Sequence, residues 1–329
     1  MTSSKLRLKY TVFDVFTNTP WAQGNPLAVI QLTKETAKQI SQEQKHLIAR
    51  EFNFSETTFL HDYSDGDTEG HATKRTVDIF TKTKQIPFAG HPTIGTAAYC
   101  FNHVFHHDSE GGILIAKAGE IHIRRDRGTG LIGADIPCSN YRVHSQGLGR
   151  VERASIVQQH PELQGISESL AHDFPVISIA GGLYFIPVEI ELLETMASLR
   201  PARPPPDATK VLDEGFSGAL GGTMFYHELS STDDAHRFRV RRMTSIGEED
   251  LATGSAACAF SVWQSQVRSR ERPEAGLEKK TIRYEIEQGV EMGRRSEIIV
   301  DVTLNDDLRP KKVILSGHAA EVMKGELII

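Results

Sequence analysis

The sequence predicts an α+β fold built from two similar halves. Two segments lead to this prediction, FAGHPTIGTAAYC (88–100) and DLATGSAACAFSVW (250–263), because each passes from a glycine-containing turn into a nearly uncharged stretch. Such a stretch is typical of a helix that is buried on most sides. His91 and Ser255, which stand at the two helix starts, are 164 positions apart in a chain of 329 residues. That distance is half of the chain, and the length allows two domains with separate cores.

The first half is expected to contain short strands around one buried helix. β-Branched and aromatic residues indicate the strands, and apolar residues at helical spacing indicate an amphipathic helix from Thr33 to Glu51 that Asn53 ends. The apolar helix is expected at 92–103. The expected strands of this half are 10–16, 27–32, 57–60, 76–80, 112–116, 120–124 and 131–136.

The second half repeats this order of elements. An apolar helix follows the turn at Asp250, a further helix is expected at 152–158, and PARPPPDATK (201–210) is interpreted as an irregular surface loop. We place the two domains at residues 1–128 and 129–329. The expected strands of this half are 176–188, 223–227, 236–240, 281–287, 297–302, 312–315 and 326–329.

Composition excludes several classes of protein. The net charge of −6 argues against a nucleic-acid partner, and the arginines Arg239, Arg241 and Arg242 are interpreted as the solvated face of a strand. The chain has three cysteines and no CxxC motif, which predicts a reducing compartment without disulfides. Because no segment is apolar enough to span a membrane, we expect a cytoplasmic protein without a membrane partner.

Motifs for metals, nucleotides and serine nucleophiles are missing from the sequence. The chain contains no HExxH, no GxxxxGK[ST] and no GxSxG. The tract HVFHH (103–107) has three histidines but no companion carboxylate motif. We therefore expect no metal site there.

The two helix starts are candidate anion sites. Free backbone N–H groups at a helix N-terminus suit a carboxylate or phosphate, and two such ends would meet across a cleft if the halves face one another. Alternatively, Gly90, Gly95 and Gly254 serve only tight turns and close packing. The spacing of the glycines leaves both interpretations open.

Three side chains near these helices could move protons. His91 could be a general acid or base, because the unperturbed pKa of a histidine side chain lies near neutrality, although a histidine at a helix start is often a structural hydrogen-bonding group. Asp250 could simply favour the helix dipole, and Glu56, in NFSETTFL, could be an ordinary surface residue. Local sequence leaves the role of each residue open.

Segments spread over nearly the whole chain resemble the PhzF family of phenazine biosynthesis-like proteins. In order, they are DVFTNTPWAQGNPLAVI, NFSETTFL, PFAGHPTIGTA, DLATGSAACAF and EQGVEMGR. The resemblance implies the diaminopimelate epimerase-like fold, in which each of two similar domains is a curled, mostly antiparallel, barrel-like sheet around a central apolar helix. It also implies an active site in the cleft between the domains, no cofactor or metal, and a homodimer.

The resemblance further implies which residues act. The family's catalytic positions fall on Glu56, His91, Asp250 and Ser255. The expected substrate-binding positions are Ser55, Gly90, Thr253 and Gly254. Two residues depart from the family pattern: Leu251 replaces a usual proline before ATGS, and Arg295 stands where proline is common.

The implied activity is that of a cofactor-independent isomerase acting by acid/base proton transfer on a small, cyclic, unsaturated carboxylate. The reference reaction is that of trans-2,3-dihydro-3-hydroxyanthranilate isomerase. Racemases of the wider fold group use two cysteines, but Ala89 and Thr253 stand at those positions here, so Glu56 is expected to take the proton and return it. The alternative is a non-catalytic protein of the same fold that binds a small acid or regulates a partner.

Overall fold

The computed structural model describes residues 6–62, 73–144, 156, 159–163, 174–179, 182–202, 212–216, 218–273, 276 and 280–329. The chain divides into two compact units, Met1–Asp135 with Ser316–Ile329, and Ile136–Leu315. The C-terminal strand belongs to the first unit, not to the second as in the expected division, because it pairs with the first strand. Among the described residues, no helix combines the length and the apolarity needed to cross a membrane.

The first unit is one curled sheet with mostly antiparallel pairs. Strands pair in the order β18–β1–β2–β3–β4–β6–β7–β8, in which the β2–β3 and β4–β6 pairs are parallel and β5 pairs with the end of β4. The bounds are β1 (Arg7–Val15), β2 (Asn25–Leu32), β3 (Glu56–His61), β4 (Lys74–Thr81), β5 (Gln85–Ile86), β6 (Gly111–Ala116), β7 (Gly119–Arg125), β8 (Ile132–Asp135) and β18 (Ala319–Ile328).

A buried helix runs against the inner face of this sheet. This helix, α3 (Gly90–Tyr99), has every residue buried and packs on strands throughout the unit, and a π-helical turn at Cys100–Val104 extends it. A Cβ on Gly95 would lie only 2.5 Å from Leu27 Cδ2 and 2.8 Å from Val15 Cγ2. Glycine at this position therefore lets the helix approach β1 and β2 closely.

The helix expected at 33–51 is interrupted. It forms α1 (Lys34–Ala37) and α2 (Gln42–Phe52), because the Ser41 hydroxyl accepts from Gln44 N while Gln44 Oε1 accepts from Ser41 N. This capping box starts a new helix inside a continuous apolar pattern. Asn53 ends it as expected, in the left-handed conformation with φ of 54°.

The second unit has the same kind of sheet around α5 (Gly254–Glu271), whose residues from Gly254 to Val262 are all buried. A short helix, α4 (Leu193–Ser198), was not expected. The helix expected at 152–158 and the loop expected at 201–210 lie almost wholly outside the described residues. The strands are β9 (Arg142–Val143), β10 (Ile177–Ser178), β11 (Leu183–Glu189), β12 (Ala219–Ser231), β13 (Ala235–Met243), β14 (Glu249–Asp250), β15 (Thr281–Gln288), β16 (Ser296–Leu304) and β17 (Pro310–Gly317).

Strand pairing repeats between the units. The pairs β10–β11, β11–β12, β12–β13, β13–β14, β13–β15 and β15–β16 have the same directions as β1–β2, β2–β3, β3–β4, β4–β5, β4–β6 and β6–β7. In each unit the central helix follows the short strand, β5 or β14, and precedes β6 or β15. The duplication expected from the sequence is therefore present in the topology.

Candidate functional site

A carboxylate and an imidazole meet at the start of α3 in the first unit. Glu56 is the first residue of β3 and His91 is the second residue of α3. The Glu56 Oε2 and His91 Nδ1 atoms are 3.2 Å apart, and the side chains are 18% and 4% exposed. The two predicted residues thus form a mostly buried acid/base pair although they are far apart in sequence.

Hydrogen bonds hold β3 against its neighbours around this pair. The Thr96 hydroxyl donates to the Thr58 hydroxyl over 3.0 Å, and both residues are buried, which ties α3 to β3 two residues beyond Glu56. The Ser55 hydroxyl donates to Asn25 Oδ1 over 3.3 Å. Asn25, the first residue of β2, is a buried contributor that the sequence did not single out.

The N-terminus of α3 has no side-chain cap. Its N-cap residue is Ala89, which is extended and offers no side-chain acceptor, and the first turn contains no acidic residue. The first N–H groups of a helix have no partner within the helix and carry the positive end of its dipole. This end, with Gly90 and His91, therefore suits a bound anion.

A second group of side chains lies at the start of α5 in the second unit. Asp250, at the end of β14, accepts from Arg242 Nη1 over 2.7 Å, and these side chains are 14% and 12% exposed. The Thr253 hydroxyl also donates to Asp250 Oδ2, and Arg242 Nη1 donates to Thr253 Oγ1 over 3.2 Å. Arg242 in turn donates to the carbonyl oxygen of Gly221 and lies over the Phe185 ring. The Asp250 carboxylate is therefore held in one orientation.

Gln288 fixes the backbone of the same turn. Its Nε2 donates to the carbonyl oxygen of Asp250 over 2.8 Å, and its Oε1 accepts from Thr253 N over 3.1 Å. The next residue, Gly289, has a φ of +76°, and a Cβ there would lie 2.7 Å from the carbonyl oxygen of Leu251. The EQG segment (287–289) therefore packs against the turn formed by DLATGS (250–255).

Ser255 is the second residue of α5 and is 9% exposed. The N-cap residue of α5 is Thr253, whose side chain makes no capping bond because its hydroxyl is directed to Asp250. The start of α5 therefore repeats the uncapped N-terminus of α3. The structure brings Ser55, Glu56, Gly90 and His91 together in the first unit, and Asp250, Thr253, Gly254 and Ser255 together in the second.

The arginines that were expected to be solvated are ion-paired instead. Arg241 is buried and binds Glu249 with Nη2–Oε2 at 2.6 Å, Arg239 binds Glu287 over 3.0 Å, and Arg242 binds Asp250. The expectation was wrong because the strands next to β13 place Glu287 opposite Arg239 and Asp250 opposite Arg242, and Glu249 within reach of Arg241. The signal that could have found two of these pairs is the spacing of Arg241–Arg242 from Glu249–Asp250, which suits a short hairpin.

The described cysteines do not provide a thiol pair. Cys100 and Cys258 are fully buried, and burial raises the pKa of both thiols. Ala89 and Thr253 occupy the residues just before the helix glycines, as the sequence indicated. Proton transfer by two thiols at the helix starts is therefore excluded.

One group of described residues has the spacing of metal ligands. His106, His107 and Asp108 place ligand atoms within 4.8 Å of one another, so Asp108 supplies the carboxylate that the HVFHH tract lacks. All three residues are exposed, and Arg127 Nη2 donates to Asp108 Oδ1 over 3.1 Å. The group lies outside both sets of predicted site residues.

The chain is similar to known proteins over almost its whole length. Residues 13–325 match the family described as phenazine biosynthesis-like protein, PhzC-PhzF. The chain is 28% identical to the trans-2,3-dihydro-3-hydroxyanthranilate isomerase of Pseudomonas aeruginosa over 96% of this chain and 98% of the relative. It is also 28% identical to an uncharacterized isomerase of Mesorhizobium japonicum over 97% of this chain and 98% of the relative.

A solved structure shows the same fold. The PhzF family protein of Bacillus anthracis superposes with a TM-score of 0.69 at 18% identity, covering 98% of this chain and 100% of that one. The predicted fold of two similar units, each a curled sheet around a central helix, is confirmed by this likeness. The chain therefore belongs to the phenazine biosynthesis-like (PhzC-PhzF) family and is an isomerase of that type.

Proposed function

We propose that the protein moves a proton between two carbons of a small, unsaturated cyclic carboxylic acid, with Glu56 as the group that carries the proton. The observation behind this proposal is the 3.2 Å contact between the Glu56 and His91 side chains beside an uncapped helix N-terminus. The first candidate substrate is trans-2,3-dihydro-3-hydroxyanthranilate, the compound named for the Pseudomonas aeruginosa relative.

Glu56 acts first as a base and then as an acid. As a carboxylate it removes a proton from a carbon that an adjacent unsaturated system makes acidic, and the electron pair of that C–H bond enters the conjugated system. The protonated Glu56 then delivers the same proton to another carbon of that system, so no other reactant is consumed. His91 holds the Glu56 carboxylate in one orientation through its Nδ1 atom and is placed to exchange a proton with a substrate heteroatom.

Asp250 holds the substrate. Both side-chain contacts of its carboxylate among the described residues go to Oδ2, from Arg242 and Thr253. The Oδ1 atom is therefore positioned to accept a hydrogen bond from an amino or hydroxyl group of the substrate. We propose that the N–H groups at Gly90, Gly254 and Ser255 bind the substrate carboxylate and stabilise negative charge as it develops.

The test is to replace Glu56 by Gln and to measure substrate binding by calorimetry beside turnover. Because Gln keeps the shape but cannot take a proton, turnover should fall by about 10³-fold while the dissociation constant changes little. Glu51→Gln, at an exposed position of α2, is the matched control and should keep full activity. Solvent deuterium should enter the product only when Glu56 is intact.

A variant that keeps turnover without Glu56 would disprove the role of this residue. Binding without turnover by the unmodified protein would disprove the substrate and favour a protein that only binds a small acid. Combining Glu56→Gln with Asp250→Asn tests whether the two groups serve the same turnover, since residues that act together give losses that do not add. The expected homodimer stays a prediction, which sedimentation equilibrium would test.

A further inference from the structure

The second unit contains a cavity of about 500 Å³ near the C-terminal end of α5. This volume lies within the range of small-ligand sites. The rings of Tyr226, Phe238 and Trp263 form part of its wall. Arg268, which also lines it, is 13 residues after Ser255 on the same helix, a distance of about 20 Å along the axis. The cavity is therefore separate from the residues at the start of α5.

Carboxylates outnumber cations in the wall of this cavity. The acidic lining residues are Glu189, Glu228 and Glu271, and the one basic lining residue among those described is Arg268. Arg268 Nη2 donates to Glu228 Oε1 over 2.8 Å, so this pair is neutral overall. Glu189 and Glu271 form no ion pair with any residue in the described part of the chain.

The groups behind the wall do not supply the missing positive charge. His236 Nδ1 lies 3.6 Å from Glu228 Oε1, but burial and the nearby Arg268 lower the pKa of His236 to about 4, so it is neutral at pH 7. Partial desolvation and the like charges of Glu228 and Glu191 raise the pKa of Glu189, and they outweigh the hydrogen bond with the Tyr226 hydroxyl and the attraction of Arg268. A bound cation would offset the repulsion between these carboxylates.

The aromatic groups fit the same ligand chemistry. Trp263 is partly exposed and packs edge-on to Tyr226, with ring centroids 6.1 Å apart. Indole faces attract ammonium groups, and Trp263 lines the cavity with part of its ring exposed. A hard divalent metal ion prefers oxygen ligands to aromatic faces, so the wall favours an organic cation.

We propose that this cavity binds a small organic ammonium compound, with Glu189 and Glu271 balancing its charge and the Trp263 ring covering its apolar part. The ligand is identified by this chemistry: one or two ammonium groups on a short carbon skeleton. The site is independent of the isomerase chemistry proposed for Glu56.

Trp263 provides the readout. The chain has two tryptophans, so a Trp21→Phe background leaves Trp263 as the reporter. Titration with choline or putrescine should give a saturable fluorescence change, and 3,3-dimethylbutan-1-ol, the uncharged analogue of choline, should give none. Glu189→Gln should weaken binding about tenfold, while Glu194→Gln, at an exposed position of α4 outside the cavity wall, should leave it unchanged.

Glu271→Gln, at the exposed last residue of α5, repeats the test at a site where a folding defect is not expected. Isomerase turnover should be unchanged in both variants. The proposal is overturned if no saturable signal develops up to about 50 mM of either amine. It is equally overturned if the uncharged analogue binds as well as choline, or if both Glu→Gln variants bind with unchanged affinity.

Discussion

The two units share a strand pairing pattern but place different chemistry at the start of the central helix. In the first unit, the hairpin before the helix pairs Ile79 with Ile86. In the second, the corresponding pair is Arg242 with Asp250. An apolar cross-strand pair in the first unit thus corresponds to an ion pair in the second. Of these two cross-strand pairs, only the one in the second unit contains an acidic residue, Asp250.

The acid of the first unit comes from a different strand. Thr57, opposite Phe80, corresponds to Thr223, opposite Met243. The residue before each threonine is Glu56 in the first unit and Gly222 in the second. Gly222 has a φ of +135°, and a Cβ there would lie 2.1 Å from the carbonyl oxygen of Met243. The duplicated fold therefore keeps two uncapped helix starts, while backbone geometry decides which copy can carry an acid at this position.

The largest effect is expected from giving the second unit a side chain at this position. Gly222→Ala should lower the free energy of unfolding by at least about 3 kcal/mol, because both the positive φ and the Met243 carbonyl oppose a Cβ. Gly276→Ala is the matched control, since it has φ of +59° but nothing within 4 Å, and should cost about 1 kcal/mol. Urea unfolding measures both. Equal costs would show that the carbonyl contact is unimportant.

The next effect concerns the Arg242–Asp250 ion pair, which corresponds to the apolar Ile79–Ile86 pair of the first unit. Arg242→Gln should lower kcat/KM about 100-fold, because Asp250 loses the donor that fixes its orientation. Arg124→Gln, which removes an exposed pair with Asp135, should change the unfolding free energy by less than about 0.5 kcal/mol and leave turnover intact. Normal kinetics in the Arg242 variant would mean that Asp250 needs no anchor.

A third difference lies one residue earlier on the same strands. Asp78 corresponds by register to Arg241, and both are charged groups held by partners. Burial by itself would raise the pKa of Asp78, but hydrogen bonds from His61 and Lys45 outweigh it and lower the pKa to about 2. Because this pKa is below the ordinary value of 3.8, the stabilisation is complete above about pH 4 and is lost as the pH falls towards 2.

The free energy of unfolding should fall by about 2 kcal/mol between pH 5 and pH 2, which unfolding measurements at these two pH values would detect. Asp78→Asn should remove this part of the pH dependence. The control is Glu120→Gln, because the Glu120 carboxylate is half-exposed and pairs with Lys74 on the surface. This variant should keep the acid-dependent loss of unfolding free energy. An unchanged acid profile in Asp78→Asn would locate the effect elsewhere.

The smallest effect is expected at Ser255, which corresponds to His91 at the second position of the helix. Ser255→Ala removes the hydroxyl but keeps the backbone N–H groups of the helix start. KM should rise about tenfold or less, with kcat nearly unchanged. A large loss of kcat would instead indicate that the hydroxyl takes part in proton transfer.

Periodicity was sufficient to predict the two buried helices and most strands, because each has a strong local signal. It failed where a short polar interaction overrides the pattern, as at Ser41, whose capping box divides the expected first helix. It also failed to assign the last strand to the first unit, since pairing of β18 with β1 depends on residues at opposite ends of the chain.

The candidate site shows the same limit. The positions of Glu56, His91 and Asp250 followed from resemblance, but their partners did not. Arg242 was hidden in an alternating strand pattern, and Gln288 lies far from Asp250 in sequence. Such contacts depend on strand register, which local composition does not specify.

The pairing of β18 with β1 also constrains the order in which the chain can fold during translation. Because β18 follows the whole second unit in the chain, the first sheet lacks this edge partner until the second unit has been synthesised. During translation the second unit can fold while β1 still exposes unpaired backbone groups, which is the condition that favours intermolecular strand pairing. Chaperone contact with the nascent chain is therefore expected to concentrate on the first unit, although that unit emerges from the ribosome first.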